Sequence, residues 1–215
     1  MEKQKLARRL LIYTIGLILI AFGSAFNINS DLGVSPIVSL PLVVSEIVGI
    51  SIGMATTGVF ISLILLQVLV LRKKFKLYYL TQILFSTMFG YFTNFAIFIL
   101  SGFQLPTYIG RLTMMGVGFT LISLGIVFYM EAKVVPLPVE GLAEALTIVT
   151  EGKFHVFKMV VDSSFVVLAV ILSMMFLGGI VGIREGTIVG MILVGKLIPP
   201  LKKLAAPLLH SIQTF

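Results

Sequence analysis

Apolar residues in this chain come as long uninterrupted runs rather than as stripes. Stretches of about 20 apolar residues recur from end to end, separated by short breaks rich in Lys, Arg, Gly and Pro. A run of that length, wound as a helix, crosses a hydrocarbon core of roughly 30 Å. The pattern predicts spanning helices near 10–29, 54–71, 77–100, 112–130, 156–177 and 186–201, the last ended by Pro199-Pro200. Two further stretches, 34–48 and 135–150, contain Pro36, Pro41, Pro136 and Pro138. Fifteen helical residues reach only about 22 Å, too short to span. The expected fold is therefore an all-α polytopic membrane protein with six transmembrane helices and two short re-entrant or interfacial helices.

Composition agrees. The 215 residues are 58% hydrophobic and only 12% charged, with a mean hydropathy of +1.12, whereas a soluble domain is roughly a quarter charged. Sixteen Lys and Arg against nine Asp and Glu give +7. In a membrane chain such an excess reports topology, because cytoplasmic loops are enriched in basic residues. With a cytoplasmic N-terminus and six spans, twelve basic residues fall inside: Lys3, Lys5, Arg8, Arg9, Arg72, Lys73, Lys74, Lys76, Lys133, Lys153, Lys202 and Lys203. Arg111 and Arg184 fall outside, and Lys158 and Lys196 within the spans. Eight crossings would leave eight inside against six outside. The basic N-terminus before an apolar run also fits a signal peptide, but the small-residue cleavage pattern around 24–26 is weak.

The two halves of the chain match at a constant offset of 102: Gly16/Gly118, Leu19/Leu121, Ile20/Ile122, Gly23/Gly125, Phe26/Phe128, Pro36/Pro138 and Leu40/Leu142. Each half reads long span, short proline-marked segment, span, span. Three crossings per half are an odd number, so a first repeat over 1–102 and a second over 103–215 must be inverted relative to each other. Inverted 3+3 repeats with paired broken segments recur in secondary transporters, whose sites lie between the halves. Leu32-Gly33-Val34-Ser35-Pro36, this duplicated layout, and Gly186-Thr187 followed by Gly195 resemble the YczE/YyaS/YitT family of bacterial integral membrane proteins. That family often continues its first motif with Trp and a polar or acidic residue, where this chain has Ile37-Val38. The resemblance implies a location in the bacterial cytoplasmic membrane, with both termini cytoplasmic under the topology above.

Charges inside a bilayer are expensive and mark functional candidates. On the first short segment Ser35, Ser39 and Glu46 share one face at about 100° per residue, and on the second Glu140, Glu144, Thr147 and Glu151 form an acidic face. Ser35, Ser39, Glu46, Glu140 and Glu144 are the candidate solute-binding residues; the alternative is an amphipathic helix in the headgroup region. Lys158 and Asp162, four residues apart, are a candidate ion-coupling pair or a structural intrahelical salt bridge. Asn27, Asn29 and Asp31 close the first span, where capping explains them as well as ligand binding does. Gly182, Gly186 and Gly190 recur every fourth residue, which suits close helix packing or a homo-oligomer contact.

Absent residues narrow the chemistry. The chain has no cysteine and two distant histidines, His155 and His210, and lacks a GxxxxGK[ST] loop, a complete GxGxxG and an HExxH helix. No catalytic residue, metal or cofactor is expected, and nucleic acid is not an expected partner. The bilayer and a small-molecule or ion solute are. The leading expectation is a small secondary transporter or facilitator, with the acidic faces leaning towards a cationic or amine-bearing solute and proton coupling. The alternatives are a substrate-binding membrane subunit of a larger ATP-driven transporter and a non-transporting membrane assembly or regulatory protein.

Overall fold

In a bilayer each backbone N–H and C=O must be satisfied within the segment, which drives long apolar runs into helices. The computed structural model, which describes residues 2–214 and side chains from 5 to 207, bears this out. Its regular elements are α1 Glu2–Ser30, α2 Pro36–Val48, α3 Ile52–Leu71, α4 Thr81–Ile99, α5 Tyr108–Glu131, α6 Pro138–Thr150, α7 Phe154–Phe176 and α8 Glu185–Thr214, with short 3-10 turns between α3 and α4. Among the described residues five helical stretches are long and apolar enough to cross a membrane: Lys5–Ser30, Ile52–Lys74, Leu77–Ile99, Tyr108–Glu131 and Phe154–Phe176. Their outward surface carries large apolar side chains such as Leu65, Leu69, Tyr91, Phe98 and Met175. Such a surface suits lipid as solvent.

The last helix differs from expectation. Pro199 and Pro200 lie inside α8 together with Pro207, and do not end it. Each proline removes a backbone donor, a loss that neighbouring helices and hydroxyls offset in bundles of this type. α8 runs alongside α5 in one direction: Gly186 meets Met115, Gly190 meets the ring of Phe119, Ser123 Oγ reaches Val194 O at 3.4 Å, and Lys202 pairs with Glu131. Of the predicted glycine stripe, Gly186 and Gly190 therefore face α5 within the same chain. Gly182 is not on the helix; it stands in the preceding loop at φ 71°.

Local conformation recurs at the spacing read from the sequence. α2 and α6 each open on a proline after an extended residue, Ser35 and Leu137. Each ends before a left-handed residue, Gly49 at φ 73° and Glu151 at φ 55°. Asp31 and Lys133, which follow α1 and α5, are also left-handed, at φ 54° and 50°. For Asp31, Lys133 and Glu151 this conformation is uncommon among non-glycine residues.

The centre is an antiparallel pair, α1 against α5. A Cβ on Gly16 would come within 2.7 Å of Gly125 O, and one on Gly23 within 2.6 Å of Gly118 O, so the backbones touch at both crossings. Buried Leu17, Ile20, Phe119 and Ile122 fill the space between. Around this pair α4 packs on α1 and α3, α8 on α5, α2 on α7 and α3, and α6 on α3 and α7.

Contacts at the helix ends define two poles. At one, Arg9 Nε donates to Ala132 O at 2.7 Å and a second Arg9 nitrogen reaches Lys133 O. Lys202 meets Glu131 at 2.6 Å, and Lys74 reaches Ile148 O at 3.5 Å. At the other pole Asn29 donates to Leu100 O at 2.7 Å, Val34 N to Gly182 O at 2.9 Å and Asn94 Nδ2 to Ser51 Oγ at 3.0 Å. Both flanks of α6 thus lie at the Arg9 pole, and both flanks of α2 at the Asn29 pole.

Candidate functional site

Pro136 and Pro138 keep the chain extended after α5, so α6 starts deep among its neighbours rather than at the Arg9 pole. Its first carbonyl, Pro138 O, accepts from Gln67 Nε2 at 3.2 Å. Gln67 on α3 and Gln82 on α4 exchange both amide hydrogen bonds, at 3.0 and 3.1 Å, and both are fully buried. They press on Gly141, where a Cβ would lie 2.8 Å from each amide. Removing one partner leaves the other amide buried and unpaired, at a cost of about 1–3 kcal/mol. Gln67→Leu should therefore lower the melting temperature of the purified protein, read by circular dichroism. Gln104→Leu, at an exposed loop position, should leave it unchanged.

Next to this amide pair, Glu140 occupies the first turn of α6 with its side chain only 6% exposed. The ammonium of Lys158 on α7 lies 2.9 Å from Glu140 Oε1 and 2.7 Å from Asp162 Oδ1. One cation thus bridges two carboxylates, one on each of two helices. Asp162 lies about 12 Å along α7 from its start, within a helix long enough to span. The hydroxyl of Tyr129 on α5 interacts electrostatically with Glu140 and Asp162 and that of Tyr13 on α1 with Glu140, and the two rings lie edge to face at 5.8 Å. Glu140 Oε2 and the hydroxyls of Tyr13 and Tyr129 are buried without a well-formed hydrogen bond. With all three ionised, the bridge carries one net negative charge in an apolar surround, beside two phenols able to donate.

The predicted residues divide into two groups. Glu140, Lys158 and Asp162 come together; the sequence pairs Lys158 with Asp162 four residues on, and the fold adds Glu140 from α6. Glu144, one turn further along α6, is half-buried. On α2, Ser35 is buried at the N-cap with an unpaired hydroxyl, Ser39 donates to Pro36 O at 2.7 Å, and Glu46 is exposed. Sequence reasoning missed Tyr13, Tyr129, Gln67 and Gln82. Their signal is a polar tip in an otherwise apolar run, which has to find a partner once buried.

Asn29 and Asp31 act at the other pole. Asp31 is held by Arg111 at 3.2 Å and by Arg184 at 3.3 Å, and Asn29 ties α1 to the end of α4. Asn27 is fully buried, its Oδ1 pressed against Gly118.

A bundle of long apolar helices around a buried ion cluster is the build of a helical membrane protein. The chain belongs to DUF6198, a family of unknown function whose sequence pattern matches residues 7–203. It is 26% identical over 191 residues to the uncharacterized protein YyaS of Bacillus subtilis (strain 168), an alignment that covers 86% of this chain and 88% of that protein. The likeness to YyaS agrees with the resemblance carried by the Leu32–Pro36 motif. No solved structure matches.

Proposed function

We propose that the chain is a small secondary transporter or facilitator of the bacterial cytoplasmic membrane, moving a cation or amine-bearing solute against protons. The observation that carries this reading is the Lys158 bridge between Glu140 and Asp162 inside an apolar bundle. Ionisable groups at such depth are costly and are retained chiefly on ion and proton pathways. Lys158 neutralises one carboxylate of the two. The other negative charge is matched either by a proton or by a solute cation, so the two compete at Glu140 Oε2 beside the tyrosine hydroxyls. Competition of that kind couples solute entry to proton release. Ser35 and Ser39 on α2, with Glu144 and Glu46 at the edges of the short helices, are the remaining candidate solute contacts.

The proposed scaffold has six spans and two re-entrant helices, α2 and α6, in inverted halves 1–102 and 103–215, with both termini cytoplasmic. Four observations support it. α8 lies along α5 over most of its length, so it crosses wherever α5 does. Each short helix has both flanks at one pole, as a re-entrant segment requires. The left-handed residues recur at 31/133 and 49/151. The Gly16–Gly125 and Gly23–Gly118 contacts exchange with each other when the halves are swapped.

Two experiments test this. Because the chain has no cysteine, Gln104→Cys and Lys73→Cys each supply a single thiol. An impermeant thiol reagent on intact cells should label position 104 and spare 73, and eight crossings would reverse the result. For transport, purified protein is reconstituted into liposomes that hold a pH-sensitive dye, and Na⁺, methylammonium and diamines are added outside. At least one should drive proton movement with the native chain and none with Glu140→Gln. An unresponsive native chain, or an equal response from the variant, would reject the coupling role.

A further inference from the structure

The two poles of the α1–α5 pair are built alike but charged differently. At the Asn29 pole, Arg111 near the start of α5 reaches Asp31, the left-handed residue after α1, and Arg184 joins the same carboxylate. The equivalent contact at the other pole is made by Arg9, 102 residues before Arg111, to the backbone of Lys133, 102 residues after Asp31. One pole therefore supplies its own carboxylate between cations. The other places a lysine where that carboxylate would stand.

The result is a cavity of about 210 Å³ lined by Lys5, Arg8, Arg9, Lys133 and Glu131. Among the described residues four cations line the cavity with one carboxylate, Glu131, which also pairs with Lys202 at 2.6 Å. Arg9 spends two nitrogens on the Ala132 and Lys133 carbonyls, which fixes its guanidinium at the rim. Ligand pockets for drug-sized molecules begin near ~300 Å³, so this one suits a single anionic head. Phosphate oxygens match an arginine fork and neighbouring ammonium groups well. Basic pockets between helices at the cytoplasmic face are the places where acidic lipid headgroups dock.

We propose that the cavity bounded by Lys5, Arg8, Arg9 and Lys133 is a phosphate-binding site, occupied by the headgroup of an acidic phospholipid of the facing leaflet. The anion completes at this pole what Asp31 completes at the other. The site is separate from the Glu140–Lys158–Asp162 cluster and does not depend on transport.

The test titrates short-chain phosphatidylglycerol into the detergent-purified full-length protein, with native mass spectrometry counting bound lipid. Short-chain phosphatidylcholine and inorganic phosphate serve as comparison ligands. Phosphatidylglycerol should be retained over phosphatidylcholine. Lys5→Gln with Arg8→Gln should weaken it roughly thirtyfold, from about 1 kcal/mol per basic residue near an anionic headgroup. Lys73→Gln with Lys76→Gln, the same charge removed elsewhere at that face, should change it little. Displacement by inorganic phosphate at low concentration would support the site while assigning it to a soluble phosphate-bearing solute. Equal retention of both lipids, or equal weakening by both double variants, would overturn the proposal.

Discussion

Replacing Lys158 by methionine is expected to destabilise the protein by about 3–5 kcal/mol, the cost of leaving a buried ionic group without its partner. The loss falls on Glu140 and Asp162 together, because one ammonium serves both at 2.9 and 2.7 Å. Combining Lys158→Met with Glu140→Gln and Asp162→Asn removes the stranded charges and should restore most of the melting temperature. A buried ion cluster exchanged for neutral groups of similar volume is often no less stable. If the cluster exists for function, the triple variant folds yet moves no protons in the liposome assay. Full transport by the triple variant would make the bridge structural. Failure of the triple variant to regain stability would point to packing of the Lys158 stem rather than its charge.

The second large effect concerns the α1–α5 crossings. Gly125→Leu should abolish accumulation of folded protein, because a Cβ alone would already stand 2.6 Å from Gly16 O and 2.9 Å from Ile20 N. These are backbone atoms of the central helix and cannot rotate away. Gly125→Ala should cost at least the ~1–3 kcal/mol typical of overpacking. Gly116 on the same helix has nothing within 4 Å of its would-be Cβ, so Gly116→Leu should leave both yield and melting temperature near native. Membrane-fraction yield and size-exclusion profile give the readout. Equal tolerance at 116 and 125 would show that the glycine contact does not hold the bundle together.

Much of the fold was legible because it depends on properties local in sequence. Apolar length set five of the spanning stretches, and the short segments read as 34–48 and 135–150 begin as helices two and three residues later, at Pro36 and Pro138. The pairing of Lys158 with Asp162 followed from helical spacing alone. Glu140 could not be joined to them in the same way: it lies eighteen residues before Lys158 on a different helix, and only the packing of α6 on α7 brings the two within 2.9 Å. The acidic face drawn through Glu140 and Glu144 obscured this, since one residue turns into the bundle and the next is half-buried. Gly182 misled for a related reason. Its spacing to Gly186 is helical, but the chain between α7 and α8 is a loop pinned by Ser173, whose hydroxyl donates to Gly179 O at 2.6 Å and accepts from Val181 N at 2.9 Å. The continuation of α8 through Pro199 and Pro200 was hidden because proline rules describe an isolated helix, not one supported along its length by α5.

The glycine contacts also bear on the order in which the protein is assembled. Gly16 and Gly23 lie in α1, while Gly125 and Gly118 lie in α5, which leaves the ribosome about a hundred residues later. At synthesis rates of about 5–20 residues per second, α1 waits on the order of 5–20 s in the membrane with its glycine groove facing lipid. During that interval α3 and α4 can close on each other through Gly53 and Gly90, but the core of the bundle cannot form. The first half of the chain is thus committed to the bilayer well before it acquires the partner that defines its tertiary structure.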